Sequence, residues 1–395
     1  MTSFTLDWAF LLQACCIHVT KVRDICYLMH RPVPPPDPEN LHGVSILKPL
    51  TGVDPNLYKN LETFFNQKYP AYELLFSVQD ENDPAIMVVQ SLIQKYPKVD
   101  AKLFIAGLRY VGPNGKINNM VRGYEAAKYD WIVISDSGIY MRPDTLLDMV
   151  SYMKADVGLV LQMPYTAHRK YGFASVYEQV YFGTFQARNS LGANAIGINC
   201  STGMSCLFRK ELLENVGGLQ AFAKYLAEDF FICKEIVKQK YKTVLCSQPA
   251  MQNSGNCTVE HFHKRLIRWS QLRGAMLPHL IILEPISECM LMGVLISWAL
   301  DFLFNVSPMT VFLLHTLMWF LSDYCLLRIV ENGPLPFSKF EFFVAWITRE
   351  SLAFWLSLRS HKNNEVHTDT GLTAVPPRLM TVPGPIPGLG HEGLS

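Results

Sequence analysis

Three acidic positions and one basic segment carry the residue types that group-transfer chemistry needs. In SVQDENDPA, Asp80 and Asp83 stand between an apolar run and a helix expected to begin near Pro84. A carboxylate there can accept hydrogen bonds from a uracil N–H or from ribose hydroxyls, and it suits the positive end of a helix. The same two acids would serve equally well as plain helix caps. In WIVISDSG, Asp136 closes an uninterrupted apolar strand and is followed by a tight Ser-Gly turn. A carboxylate at the C-terminal end of a central strand is placed to hold a divalent cation, magnesium or manganese, bridging two phosphates. The Asp-x-Asp pair that many metal-using transferases present is absent, because the partner position is Gly138. Metal binding would then rest on Asp136 together with water and phosphate. In YLAEDFFICKEIVKQ, Glu228 and Asp229 open an amphipathic helix. Adjacent acids at a helix start can simply compensate its dipole; alternatively, Asp229 is a general base that deprotonates an acceptor hydroxyl as it attacks a sugar carbon.

The basic segment reads HKRLIRWSQLR, residues 263–273, four cations and a tryptophan directly ahead of a strongly apolar stretch. Read as a helix, it puts Arg265, Arg268, Trp269 and Leu272 on one face, at i, i+3, i+4 and i+7. Two planar guanidinium groups on one face can clamp a pyrophosphate and stabilise the charge on a departing nucleoside diphosphate. A positively charged membrane flank with an interfacial tryptophan would show the same residues, and the two readings are compatible. Lys116, after the loop YVGPNG, starts a helix whose free amides could contact a diphosphate alongside its ammonium. Thr202-Gly203 falls in a turn where backbone can approach a sugar.

These residues need a scaffold that gathers them. From Val44 to about Pro249 the apolar runs VSILKPL, ELLFSVQ, AKLFIAG, WIVISDS, VGLVLQMP, SCLF and TVLCSQ alternate with helical patterns such as DPNLYKNLETFF and KINNMVRGYEAAKY. That alternation predicts an α/β domain with right-handed crossovers and a mostly parallel, mixed sheet, whose ligands collect beyond the C-terminal strand ends. We place this domain at residues 41–262, with 263–275 as an interfacial segment. Residues 276–304 and 308–327 are each long enough to cross a bilayer, and a third apolar segment around 340–358 is interrupted by Arg349-Glu350. The membrane-associated region is therefore expected over 276–358, with Glu284, Glu288 and Asp323 at an interface or facing protein. The first 31 residues, with WAFLLQACCIHV followed by Lys21, Arg23 and Arg31, read as an anchor or an interfacial helix with its C-terminal side in the cytosol. Residues 359–395 are expected to be disordered.

Of the 395 residues 49% are hydrophobic and 17% charged, and the net charge of +1 gives no global pull toward nucleic acid. Ten cysteines without a CxxC pair argue against a zinc ribbon or a disulfide framework, which fits a reduced head facing the cytosol. On that topology the sequons at Asn199 and Asn256 should stay unmodified.

Ordered blocks from LKPLTGVDPNLYKNLETFF through VQDENDPA, GKINN, SDSGI, EQVYFGT, TGMSC, AEDFF, AMQNSG, RLIRW, LEPISEC and AWITRES cover roughly residues 44–355. In them the chain resembles the ceramide glucosyltransferases, inverting membrane-bound enzymes with a GT-A fold. The resemblance implies transfer of glucose from UDP-glucose to the primary hydroxyl of ceramide at the cytosolic face of the Golgi, or of the endoplasmic reticulum. It also implies that Asp83 and Asp136 serve the donor, that Asp229 is the base, and that Arg265, Arg268 and Trp269 form the (Q/R)xxRW motif. The partners so implied are ceramide, UDP-glucose, a bilayer and a divalent cation; a homo-oligomer is compatible with all of this. One departure stands in YFGTFQAR, where the family often has a donor-side histidine and this chain has Gln186. Glutamine donates a hydrogen bond but takes up no proton at physiological pH. The N-terminal anchor is shorter and less apolar than the family's, and the tail is unlike it. A processive polysaccharide synthase or polyprenyl-phosphate sugar transferase shares the acid pattern, and a non-catalytic paralogue that binds UDP-sugar or sphingolipid is the reading from outside enzymology.

Overall fold

The computed structural model describes residues 28–34, 41–105, 107, 109–166, 172–195, 197, 202–255 and 258–362. The expected N-terminal anchor up to residue 27, most of the expected disordered tail and the Asn199 and Asn256 sequons lie outside the described residues.

Seven short strands make the main sheet: β1 (Val44–Leu50), β2 (Tyr72–Val78), β3 (Ala101–Ile105), β4 (Trp131–Ser135), β6 (Val157–Leu161), β8 (Ser205–Arg209) and β9 (Lys242–Leu245), in the order β3-β2-β1-β4-β8-β6-β9. All residues of β1 and β4 are buried, which is what a strand covered on both faces requires and why these runs read as continuously apolar. Pairing is parallel except that β8 runs antiparallel to both β4 and β6. The mixed, mostly parallel sheet is thus as expected. From β1 the chain winds outward through β2 to β3, and then returns to place β4 on the other side of β1. This reversal opens a crevice at the C-terminal ends of β1 and β4, where an α/β sheet takes its ligands.

A second sheet, β5 (Ile139–Tyr140), β10 (Ala250–Gln252) and β7 (Pro164–Thr166), stands just past the ends of β4 and β6. The covering helices include α1 (Leu57–Phe65), α2 (Ala85–Lys95), α3 (Gly115–Ala126) and α4 (Thr145–Ser151). The start of α3 is set by Asn114, whose side chain accepts from the Ile117 N–H. Next come α5 (Phe173–Tyr181), a π-turn (Phe182–Gln186), α6 (Ala187–Ala195), α7 (Lys210–Glu214) and α8 (Glu228–Lys238).

Then α9 (Val259–Met276) begins at a Thr258 cap, so that residues 263–275 lie within one continuous helix. The apolar stretch 276–304, expected as one span, is instead α10 (Leu280–Ile286) and α11 (Cys289–Phe304), bent by 75°. Pro285 lies inside α10, and Glu288 adopts an extended backbone at the break. Helix α12 (Pro308–Glu331) is, among the described residues, the single helix long and apolar enough to cross a membrane. Last, α13 (Lys339–Lys362) runs unbroken through Arg349-Glu350, both buried against neighbouring helices. One hydrophobic core continues from the sheet into these helices, with Leu327, Phe342 and Trp346 packed in the same cluster as the strands. Polar ties cross the same junction: Glu331 accepts from Tyr165 Oη at 2.6 Å and from Gln179 Nε2 at 2.8 Å.

Candidate active site

β4 delivers Asp136 to the crevice, and two lysines hold it there. Lys48, wholly buried in β1, donates to the Asp136 backbone carbonyl at 2.6 Å and lies over the Phe64 ring at 3.9 Å. Burial pushes its ammonium down to about 7, against the attraction of Asp136. Lys116, on the first turn of α3, reaches the Asp136 carboxylate at 2.8 Å, Glu228 at 3.1 Å and the Gly203 carbonyl at 2.9 Å. Burial alone would lower its pKa; the carboxylates of Asp136 and Glu228 outweigh it and raise it.

The first turn of α8 adds the acidic pair. Glu228 is fixed by Asn114 Nδ2 at 2.8 Å. Asp229 faces Gly203, where a Cβ would stand 3.3 Å from its Oδ2; Gly203 itself has φ +68°, a conformation that glycine alone adopts freely. Burial first, and the neighbouring Glu228 charge second, push the Asp229 carboxyl up to about 7, with Lys116 opposing. Between Lys116, Gly203, Glu228 and Asp229 only about 10 Å³ of space remains, too little for more than about one water. Asp136, Lys116 and Asp229, singled out from separate sequence blocks, therefore meet in one place.

The remaining candidates surround this cleft unevenly. Asp83 accepts from Gly52 N at 2.7 Å and from Ala85 N at 2.8 Å, so its carboxylate both caps α2 and ties down the loop after β1. Asp80, exposed, accepts from the Asn82 N–H. Arg265 donates to Glu178 at 3.1 Å and to Gln252 at 2.9 Å and stacks on Trp269 at 4.9 Å. Through β10 this reaches the Asp136 loop, since Asn253 N donates to the Gly138 carbonyl. Its charge is thus already matched by a buried glutamate, which makes Arg265 a brace for the motif more than an open clamp. Arg268 and Trp269 follow on the same helix, with Trp269 edge-on to Phe182. Gln186 ends the π-turn and donates to Ser190 Oγ at 3.3 Å; no contact with the acidic cleft is described for it.

No group of three His, Cys, Asp or Glu side chains able to hold a metal occurs among the described residues. The site still fits a magnesium or manganese ion, since Asp136 keeps 41% of its side chain exposed and such ions commonly take one carboxylate plus phosphates and water.

Residues 6–371 match glycosyl transferase family 21. This chain belongs to that family. Two relatives from Caenorhabditis elegans, named ceramide glucosyltransferase 3 and ceramide glucosyltransferase 1, are each 42% identical to it. The first alignment covers 92% of this chain and 80% of the relative, the second 85% and 71%. Among solved structures, a mannosyltransferase from Pyrobaculum calidifontis in complex with GDP-Man and Mn2+ aligns at 16% identity and TM-score 0.46, over 89% of this chain and 96% of that one.

Within this family 21 member, Lys48, Asn114, Glu178 and Gln252 also shape the cleft, and sequence reasoning passed over all four. The available signal was polarity out of place. Lys48 interrupts a seven-residue buried strand, and Glu178 and Gln179 are both buried on α5 among apolar and aromatic residues.

Proposed function

We propose that the chain transfers glucose from UDP-glucose to the primary hydroxyl of ceramide with inversion, forming glucosylceramide. The observation that carries this reading is the Asp229 carboxyl, held near neutrality in a crevice whose other wall is the Asp136–Lys116 pair. The names of the two 42% identical relatives supply the acceptor and the sugar. Asp229 takes the proton of the ceramide hydroxyl as its oxygen attacks the anomeric carbon. The bond from that carbon to the β-phosphate oxygen breaks in the same in-line step, and UDP leaves with the electron pair. Lys116 and Arg268 offset the charge on the leaving diphosphate, and Asp80 and Asp83 flank the nucleoside. Asp136 would hold the divalent cation, which when bound supplies charge neutralisation at the diphosphate.

The same reading puts the chain in the Golgi membrane, or that of the endoplasmic reticulum, with the catalytic domain toward the cytosol. The exposed apolar residues Trp298, Phe302, Met309, Leu313 and Leu317 on α11 and α12 support contact with lipid. The test is hexose transfer to ceramide in membranes expressing the protein, with UDP-glucose and UDP-galactose compared and Asp229→Asn as the blank. Glucosylceramide that vanishes in the blank is expected; galactosylceramide would correct the donor, and no product would remove the reading.

A further inference from the structure

Helix α13 reverses the polarity expected of a helix on a water-soluble surface. Phe340, Phe343, Ile347, Phe354 and Leu358 fall at i, i+3, i+7, i+14 and i+18, one stripe that runs along nearly all of its 24 residues. Phe340 is 73% exposed, Phe343 47%, Phe354 55% and Leu358 58%, whereas Arg349 on the opposite face is 4% exposed and paired with Asp323 at 3.1 Å. The charge is inside and the aromatic rings are outside.

The inner face rests on protein from one end to the other. Near the start Phe342 and Trp346 pack against Phe320 of α12. Farther along, α13 lies against α5 and α9 of the catalytic domain, and close to its end Ser360 hydrogen-bonds Ser270 of α9 at 3.0 Å. If α13 crossed a bilayer it would take α9 with it and bring Arg265, Arg268 and Arg273 to the depth of the hydrocarbon, where cations are costly. The stripe is therefore apolar enough for lipid on a helix that its neighbours keep from spanning.

That stripe runs into the apolar surface of the membrane helices. The Phe343 ring stands 6.1 Å from Phe320 of α12, and Phe354 and Leu358 share a groove of about 260 Å³ with Ile282 of α10 and Leu291 of α11. Its flanks carry the groups of a membrane–water boundary, with exposed Lys339 at the start and Arg359 stacked on Trp355 at 5.1 Å near the end. Glu341, the acid beside the stripe, is taken up by the Ser338 N–H at 2.7 Å.

We propose that α13 lies flat in the interface of the cytosolic leaflet, with its stripe from Phe340 to Leu358 immersed among headgroups and upper acyl chains. This rests on the reading that the catalytic domain faces the cytosol beside a membrane. Helices pack about 8–10 Å apart, so α9, on the side of α13 away from the stripe, is held one helix layer from the lipid. The surface thus sets the height of the Arg268–Trp269 segment above the leaflet that presents a ceramide hydroxyl.

The test reads depth along the helix. Phe340→Cys, Phe343→Cys, Ile347→Cys, Phe354→Cys and Leu358→Cys, each in the full chain cleared of other reactive thiols, carry a nitroxide in vesicles of phosphatidylcholine with some phosphatidylserine. Collision with oxygen is compared with collision with a water-soluble nickel chelate. A helix in the membrane plane gives five similar depths, about 5–10 Å into the headgroup and acyl boundary. Depths that change by about 1.5 Å per residue, about 27 Å from 340 to 358, mean a spanning helix and overturn the proposal. Five positions open to the chelate, or shielded from both collision partners, overturn it as well, since the stripe would then lie in water or against protein. A functional arm joins Phe354→Asp to Leu358→Asp, both exposed and outside the cleft. KM for ceramide in vesicles should rise about tenfold, while turnover in detergent micelles stays within about twofold. Equal loss in both media counts against the proposal. Wild-type protein that makes no glucosylceramide yet gives five shallow depths removes the reaction and leaves the surface, whereas product together with graded depths removes the surface alone.

Discussion

Asp229 has to lose its proton before it can accept one from a hydroxyl. Burial and then the Glu228 charge hold its pKa up to about 7. kcat/KM should therefore rise with pH through about 7 with a slope near one and level off above it, read in a pH-rate profile with UDP-glucose and ceramide. Asp229→Asn should lie about 10²- to 10⁴-fold lower at the plateau and lose the inflection, while UDP binding measured by calorimetry stays close to wild type. An inflection that survives in the mutant assigns the base elsewhere. The same shift carries a stability consequence of definite sign. Between the ordinary carboxyl range and about pH 7 the native state keeps a proton that the unfolded chain has released, so ionising Asp229 lowers stability as pH rises through that window. Asp229→Asn should accordingly melt higher than wild type above pH 7 and no higher near pH 4, by thermal scans at both values. At this scale the sequence was informative about Asp136, Lys116 and Asp229, because carboxylates at strand ends and helix starts advertise themselves. It was silent about Lys48, since a strand pattern records that a position is buried and not which neighbour a buried amine will find.

The turn before β8 shows how an element sets the geometry of a residue it does not contain. Gly203 presents its carbonyl to Lys116 and its bare Cα to Asp229. Gly203→Ala would place a Cβ 3.3 Å from the Asp229 carboxylate in a left-handed backbone, a strain of about 1–2 kcal/mol. We expect a lowered melting temperature and a fall in kcat that exceeds any change in KM for UDP-glucose. A fall in stability with full turnover would show that the turn does not position Asp229. The π-turn makes a comparable approach on its other side, for a Cβ at Gly183 would stand 2.2 Å from Leu327 Cδ1 on α12. Helix starts and central strands were legible from caps and apolar runs. Two features were not: β5, β7 and β10 are too short to show a period, and the bend between α10 and α11 interrupts a composition that stays apolar across it. Pro285 and Glu288 were its traces, and both are compatible with an unbroken span that hides one acid against protein.

For the molecule as a whole, α12 ties the catalytic domain to whatever surrounds its other end. Leu326, Leu327 and Val330 are buried against the domain, and Glu331 is bound by Tyr165 and Gln179. Toward its start, Met309, Leu313 and Leu317 are more than half exposed, as are Trp298, Phe302 and Phe304 on α11. The 24 residues of α12 reach about 36 Å, against a hydrocarbon core of about 30 Å. If its C-terminal end stays with a cytosolic catalytic domain, the turn at Asn305, Val306 and Ser307 must emerge on the far side. In sealed microsomes, a single cysteine introduced as Asn305→Cys into a protein otherwise cleared of reactive thiols should be labelled by an impermeant maleimide only after permeabilisation. Labelling of intact microsomes would place the turn on the cytosolic face and make α11 and α12 a hairpin lying along the membrane surface. Protection even after permeabilisation would mean a hairpin that ends inside the bilayer, and the exposed apolar faces of α11 and α12 would then be buried in one leaflet.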